Sequence, residues 1–240
     1  MKSNPHPDRA NTEPTRQHLG SVLVGGQNLA VEDRLVQAIV LVPDLLLARR
    51  RMEALGLTVV EGGSHPGRGT ANLIVPFGRQ YLELLAIVDE NEARTSVQGR
   101  PVMAALSARG PGLARWSVEP GDIEATANRV GEPIEQRQRT LPDGTAVRWR
   151  AVAVDRAWVE PWRCAFMVWD SPDMHPGGRH VVHPNGATGF ARLDVVVPDM
   201  RTALRWLGGR VPSGAVVRVG GEPGLGTLRL SAPSGEILVG

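Results

Sequence analysis

The sequence contains a single cysteine, Cys164, so no disulfide can form within the chain. It also lacks a long apolar run. The longest uncharged apolar stretch, residues 36–42, is far shorter than the roughly 20 residues that a membrane helix requires. The first twenty residues are polar and contain no apolar core of the kind found in signal peptides. We therefore expect a cytoplasmic protein with no membrane partner.

A strong excess of one charge is also absent. The formal net charge is +2, with 27 Lys and Arg against 25 Asp and Glu, and Lys2 is the only lysine. The one dense basic cluster, Arg49–Arg51, falls on a predicted helix, where a solvated outer face is expected rather than a nucleic-acid surface. No glycine-rich loop follows a strand and opens a helix, as a phosphate-binding loop does. The sequence therefore predicts no nucleic-acid partner and no nucleotide cofactor.

What the sequence does contain is a pattern that occurs three times. Three apolar runs lead into an acidic turn at Asp44, Asp122 and Asp199, and the spacing between these aspartates is nearly constant. Asp44 is placed to cap a helix that ends at Gly56, and helices are also predicted from Asp122 and from Asp199. Three short strand patterns follow each helix. One βαβββ module used three times explains this order.

Differences in composition between these segments mark the module boundaries. Polar segments without apolar periodicity separate the repeated patterns. We expect a mobile N-terminal extension at residues 1–33, a first module at 34–89, a linker at 90–111, a second module at 112–170, a loop rich in His, Pro and Gly at 171–188, and a third module at 189–240.

Two motifs are similar to those of a known family. Residues 65–72 (HPGRGTAN) are followed by residues 81–84 (YLEL), and residues 183–187 (HPNGA) lead into the third module. With these motifs, the chain from about residue 35 onward resembles the glyoxalase-like domain family of the vicinal oxygen chelate superfamily. The resemblance implies an α+β fold in which tandem βαβββ modules form curved, half-open mixed sheets. A small ligand would lie on the concave face, but the fold alone does not define a reaction.

Glu83 lies inside an apolar strand, where a buried carboxylate requires a cation, an arginine or several hydrogen-bond donors. In metal enzymes of the superfamily, ligands come from the first and last strands of paired modules. The resemblance therefore implies Gln37 and Glu83 as ligands of a divalent metal ion. The matching positions in the second module, Ala114 and Arg115, are not usual ligands. A metal-bound Glu83 and a Glu83 satisfied by hydrogen bonds or arginine both remain open.

Arginine candidates occur on a later predicted strand. Arg148 and Arg150 alternate with apolar residues, so both side chains emerge on one face of the sheet. If that face is concave, they would bind an anionic substrate or pair with Glu83; if it is convex, they are solvated charges. His65 is the second catalytic candidate beside Glu83. It is either a general base or a residue that forms hydrogen bonds within its own loop.

Five further residues are candidates for ligand contact, and each also has a structural alternative. The alternatives are turn fixation, core packing or a loop role. The candidates are Asn72, Tyr81, Trp116, Trp169 and His183.

Two functions follow from these observations. The first is lyase, isomerase or dioxygenase chemistry on a small organic molecule, provided that a metal ion binds. The second is metal-free binding or sequestration of a small molecule, as in resistance proteins of the superfamily. A third module without a partner would expose a sheet face or edge unless linkers or a second copy cover it, so we also expect that a homodimer can form.

Overall fold

The computed structural model describes residue 1, residues 23–24, 27–28, 32–140 and 145–239. The chain divides into two compact units, Met1–Val31 and Glu32–Gly240. In the first, β1 (Leu23–Val24) pairs antiparallel with β2 (Gln27–Asn28). The sequence predicts a mobile extension at residues 1–33, and nearly all of these residues lie outside the described ranges. None of the described helices is long and apolar enough to cross a membrane.

The second unit contains three successive βαβββ segments. The first consists of β3 (Arg34–Leu41), α1 (Leu45–Ala54), β4 (Val60–His65), β5 (Thr70–Phe77) and β6 (Gln80–Ile87). Helices α2 (Glu90–Thr95) and α3 (Gly99–Arg109) follow it. The second consists of β7 (Gly112–Glu119), α4 (Ile123–Val130), β8 (Ile134–Thr140), β9 (Ala146–Val152), α5 (Val154–Val159) and β10 (Ala165–Trp169). After two 3₁₀ turns, Pro172–Met174 and Pro176–Gly178, the third consists of β11 (Gly189–Val197), α6 (Met200–Trp206), β12 (Ala215–Val219), β13 (Gly224–Ala232) and β14 (Gly235–Val239).

The repeated aspartates start the three equivalent helices. Asp44, Asp122 and Asp199 are the N-caps of α1, α4 and α6, and each carboxylate accepts a hydrogen bond at 2.7–2.9 Å from the backbone N–H three residues later. This bond satisfies one of the N–H groups that a helix start leaves without a partner. The recurring turn in the sequence is therefore a recurring helix cap.

The first two segments join in one curled, eight-stranded mixed sheet with the strand order β4-β5-β6-β3-β7-β10-β9-β8. Their first strands, β3 and β7, pair antiparallel at its centre, and each first strand pairs parallel with the last strand of its own segment. The two segments are therefore arranged in the same way around the β3–β7 pair. The predicted α+β fold class, with tandem modules in curved mixed sheets, is confirmed.

The third segment forms a separate four-stranded sheet in the order β12-β11-β13-β14. Its first strand, β11, lies between two strands of its own segment, parallel to β12 and antiparallel to β13, whereas the antiparallel neighbour of β3 or β7 comes from the other segment. Leu193 and Leu228 on this sheet join the same buried cluster as Ala38 and Trp116 of the large sheet. The third sheet thus covers its apolar face within the chain. Homodimerisation stays a prediction.

The two faces of the large sheet carry different cores. The cluster that includes Ala38 and Trp116 fills the convex side. On the concave side, Ile39 and Met167 pack with Val102 of α3 and Trp158 of α5. Helices α3 and α5 therefore close part of the concave face, although the sequence predicts a linker at residues 90–111.

Candidate functional site: a polar cavity on the concave face

A cavity of about 410 Å³ lies on the concave face of the large sheet. Its walls come from strands β3 to β10 and from helices α3 and α5. The volume lies within the range typical of small-molecule sites. We call this space the concave cavity.

The centre of the concave cavity contains a hydrogen-bond network around Glu83. Its two carboxylate oxygens accept one bond each, from Gln37 Nε2 at 2.6 Å and from Asn72 Nδ2 at 2.6 Å. Gln37 Oε1 in turn accepts from Ser117 Oγ at 2.6 Å and from Arg115 Nη2 at 3.3 Å. All five side chains are buried. The network provides Glu83 with the donors that a buried carboxylate requires.

Arg115 provides the positive charge at the end of this network. It is 8% exposed, and its guanidinium carbon lies 4.9 Å from the ring centre of Trp158. Burial lowers the pKa of Arg115 to about 10, so the group remains charged at neutral pH. Among the described residues, Arg115 forms no ion pair within 4.0 Å, and its Nε has no hydrogen-bond partner. Arg115 is therefore a buried cation without an ion pair in the described part of the chain.

Tyr81 and His65 are the other titratable groups close to Glu83. Burial raises the pKa of the Tyr81 hydroxyl, and the negative charge of Glu83 adds to this effect. The pKa of His65 is lowered, chiefly by burial, although Glu83 acts in the opposite direction. His65 Nδ1 lies 2.9 Å from Thr70 Oγ1. Both groups are therefore neutral at pH 7.

Three more arginines line the concave cavity: Arg68, Arg137 and Arg139. Arg139, on edge strand β8, donates to the carbonyl of Gly62 on the opposite edge strand, β4, at 3.2 Å. Arg137 pairs with Glu135. Burial and the charge of Arg137 lower the pKa of Arg68. These interactions show that the arginines lie close enough together to act as one positive region.

The rest of the wall is apolar and largely aromatic. The rings of Trp149 and Trp169 lie 4.9 Å apart between centroids, and both line the concave cavity. Ile39, Leu85 and Met167 add aliphatic surface. A ligand in this space would meet both flat aromatic rings and charged groups.

Of the candidates taken from the sequence, the concave cavity brings together Gln37, His65, Asn72, Tyr81, Glu83 and Trp169. This set includes both proposed metal ligands and both catalytic candidates. Strand alternation explains the grouping, because these side chains lie on the same face of neighbouring strands.

Three candidates lie on the opposite face of the sheet, so their expected ligand contact is corrected. Trp116 is fully buried in the convex-side core, because it follows the inward-facing Arg115 by one position. Arg148 and Arg150 flank Trp149, which faces the concave cavity, so the arginines point the other way. Arg150 forms an ion pair with Glu124 at 2.6 Å.

His183 also lies outside the concave cavity, and its contacts are structural. Its Nδ1 accepts from the Thr58 N–H at 3.0 Å, and its Nε2 lies 2.8 Å from the Pro76 carbonyl oxygen. Its ring packs against Phe77 with 4.7 Å between centroids. These contacts fasten the segment at residues 171–188 to the first module, which explains the histidine in the HPNGA motif.

Several residues that line the concave cavity are not predicted from the sequence to contact a ligand. The sequence presents Arg115 only as a poor metal ligand, and Trp149 only as an apolar neighbour of two arginines. The available signal for Arg115 was its position on the first strand of the second module, matching that of Gln37 in the first. No comparable signal marks Arg137 or Arg139.

The residues present do not fit a divalent metal ion. In the described ranges, no three residues among His, Cys, Asp and Glu are grouped closely enough to hold one. Gln37 directs its amide N–H at Glu83, and its oxygen accepts from Ser117 and Arg115. On the side of the second module the network ends in a guanidinium, which repels a cation. We therefore derive no step through a metal ion.

Comparisons with known proteins agree with this fold. The family model described as a glyoxalase-like domain matches residues 38–210, well over half of the chain. No curated protein sequence matches the chain. A solved structure of a hypothetical protein from Staphylococcus aureus is 13% identical, with a TM-score of 0.53 over 86% of this chain and 84% of that one.

Methylmalonyl-CoA epimerases are also similar to part of the chain. The Mycobacterium tuberculosis enzyme is 19% identical, with a TM-score of 0.40 over 63% of this chain and 94% of that one. A Streptomyces coelicolor variant in complex with 2-nitronate-propionyl-CoA is 18% identical, with a TM-score of 0.39 over 58% of this chain and 97% of that one. At this level of identity, structural similarity concerns the fold alone. The match to the family model establishes that the chain belongs to the glyoxalase-like domain family.

Proposed function

We propose that this protein binds a small organic anion with a flat apolar body in the concave cavity, without a metal ion. The observation that carries this proposal is the charge of the wall. Arg68, Arg115, Arg137 and Arg139 line the space, whereas its described acidic residues are Glu83 and Asp155. Guanidinium groups in a partly enclosed, low-dielectric site favour carboxylates and other planar anions.

The apolar part of the wall defines the other half of the ligand. The paired rings of Trp149 and Trp169 offer flat contact area to an aromatic or unsaturated group. Burial of such a group provides binding free energy, and the arginines orient it. An aromatic or branched aliphatic acid has both features.

Of the two functions that the sequence suggested, the site supports metal-free binding better than metal-dependent lyase, isomerase or dioxygenase chemistry. The reason is the state of Glu83. Both of its oxygens already accept amide hydrogen bonds, and the neighbouring cation is Arg115 rather than a set of further ligands.

A thermal-shift experiment with matched ligand pairs tests this proposal. Benzoate, phenylacetate and 2-naphthoate would each be compared with the corresponding neutral amide at constant ionic strength. At 100 times its Kd, a ligand stabilises the folded state by about 2.7 kcal/mol, which raises the Tm of a chain of this size by roughly 5–10 °C. We expect at least one acid to stabilise the protein while its amide has little effect. Equal effects of acid and amide, or no effect of any acid, would contradict the proposal.

A further inference from the structure

We propose that Arg115 anchors the anionic group of the ligand and takes the place that a divalent cation would occupy between the two modules. This inference rests on the proposed function, because it assigns a specific residue to the recognition of the anion. It makes Arg115 the residue that determines the specificity of the concave cavity for anions over neutral analogues.

The first support is the state of the guanidinium itself. Moving a charged group out of water has a high free-energy cost unless an opposite charge and hydrogen-bond partners compensate for it. Arg115 is 8% exposed, lacks an ion pair among the described residues, and has no described acceptor for its Nε. A ligand carboxylate against the guanidinium would supply the opposite charge that is missing.

The second support is that Glu83 does not serve as the counterion. The oxygens of Glu83 accept from Gln37 and Asn72, and Gln37 lies between Glu83 and Arg115 in the network. Burial lowers the pKa of Arg115, and the negative charges of Glu83 and Asp155 offset this effect only in part. The guanidinium therefore retains binding capacity for a second anion.

The third support is the position of Arg115 in the sheet. Ile39 on β3 pairs with Glu83 on one side and with Arg115 on the other, so the three residues form one row across β6, β3 and β7. The first module contributes an anion to this row, and the second contributes a cation. Chelation of a metal ion by both modules would require a ligand where Arg115 stands.

The fourth support is the geometry imposed by Trp158. The guanidinium carbon of Arg115 lies 4.9 Å from the centre of the Trp158 ring, and this cation–π contact restrains the group beside α5. A guanidinium binds a carboxylate through two parallel N–H donors. The lysine ammonium cannot reproduce this arrangement.

Isothermal titration calorimetry with Arg115 variants tests the inference. The probes are benzoate, phenylacetate and 2-naphthoate, each with its amide. We expect Arg115→Gln to weaken binding of the acids at least about tenfold and to leave the weak binding of the amides unchanged. Arg148→Gln is the matched control, because Arg148 lies on the outer face of β9; it should bind the acids like the wild type. If Arg115→Gln does not fold, Arg115→Lys replaces it, and we expect this variant to bind the acids at least about threefold more weakly than the wild type.

The outcomes separate this inference from the proposed function. If no acid binds the wild-type protein, the proposed function fails. If the acids bind the wild type and the Arg115 variant with equal affinity, the proposed function stands and the assignment of Arg115 is wrong. A second titration uses MnCl₂, NiCl₂ and ZnCl₂ on the wild type, and we expect no one-to-one binding. One bound ion per chain, lost in Glu83→Gln, would overturn the idea that Arg115 replaces a cation.

Discussion

His175 should make the stability of the fold depend on pH between about pH 4 and pH 6.5. The ring is half-buried between Tyr81, at 5.3 Å between centroids, and Trp169, at 5.8 Å. Its Nδ1 accepts a hydrogen bond from the Gly177 N–H at 3.1 Å, which is possible only while that nitrogen carries no proton. Protonation of the ring in the folded state would therefore remove this bond and place a charge against two aromatic rings.

The size of the effect follows from the pKa of His175. Burial lowers this pKa from 6.5 to about 4, with a smaller opposing effect of Glu119 and a smaller lowering effect of Arg79. The unfolded chain binds a proton near pH 6.5 and the folded chain only near pH 4, so the free energy of unfolding is highest above pH 6.5 and falls as the pH decreases. If this pKa shift acted in full, the free energy of unfolding would be about 2.5 kcal/mol lower at pH 4.5 than above pH 6.5. We expect roughly half of this decrease, because water screens the charge of a half-buried ring.

Urea denaturation of the wild type and of His175→Gln at several pH values from 7.5 to 4.5 measures this effect. The variant lacks the titrating group, so the difference in free energy of unfolding between the two proteins should shrink by about 1 kcal/mol towards low pH. His180→Gln, in an exposed position of the same segment, is the control and should follow the wild-type curve. Parallel curves for the wild type and His175→Gln would contradict a role of His175 in the pH dependence of stability.

Three further predictions concern single residues. Cys164 is fully buried and burial raises its pKa, so a thiol reagent such as DTNB should react with it only after unfolding; rapid reaction of the native protein would contradict its burial. Trp116→Ala should lower the free energy of unfolding by about 3–5 kcal/mol without changing the affinity for the acids. Trp149→Ala should instead weaken binding of the acids in calorimetry. The reverse pattern would place the ligand on the other face of the sheet. His183→Ala should lower the free energy of unfolding by about 2 kcal/mol in urea, because it removes two hydrogen bonds that hold the loop; an unchanged midpoint would show that the loop is held elsewhere.

Local chemistry explains why much of the fold could be predicted from the sequence. The helix caps at Asp44, Asp122 and Asp199 depend only on a carboxylate and the next turn of the chain. Strand alternation also placed Tyr81 and Glu83 on one face, because that relation is fixed within a single strand. Such features do not depend on how distant segments pack.

The parts that could not be predicted depend on contacts between distant segments. Alternation shows that Arg148 and Arg150 share a face, but the curvature of the whole sheet decides whether that face is concave. Helix α3, within residues 90–111, buries Val102 and Ala105 against the concave face, a contact that its own sequence does not reveal. The third sheet also has a strand order that differs from that of the first two segments, although its sequence pattern is the same.

We propose that the concave cavity holds an organic anion at Arg115 rather than a metal ion at Glu83. The most direct measurement is a crystal structure of the protein grown with whichever of the tested acids stabilises it most, in the presence of NiCl₂. We expect carboxylate density against the edge of the Arg115 guanidinium, with the ring of the acid against Trp149. Anomalous nickel density on Gln37 and Glu83, or an acid bound only outside the concave cavity, would contradict it.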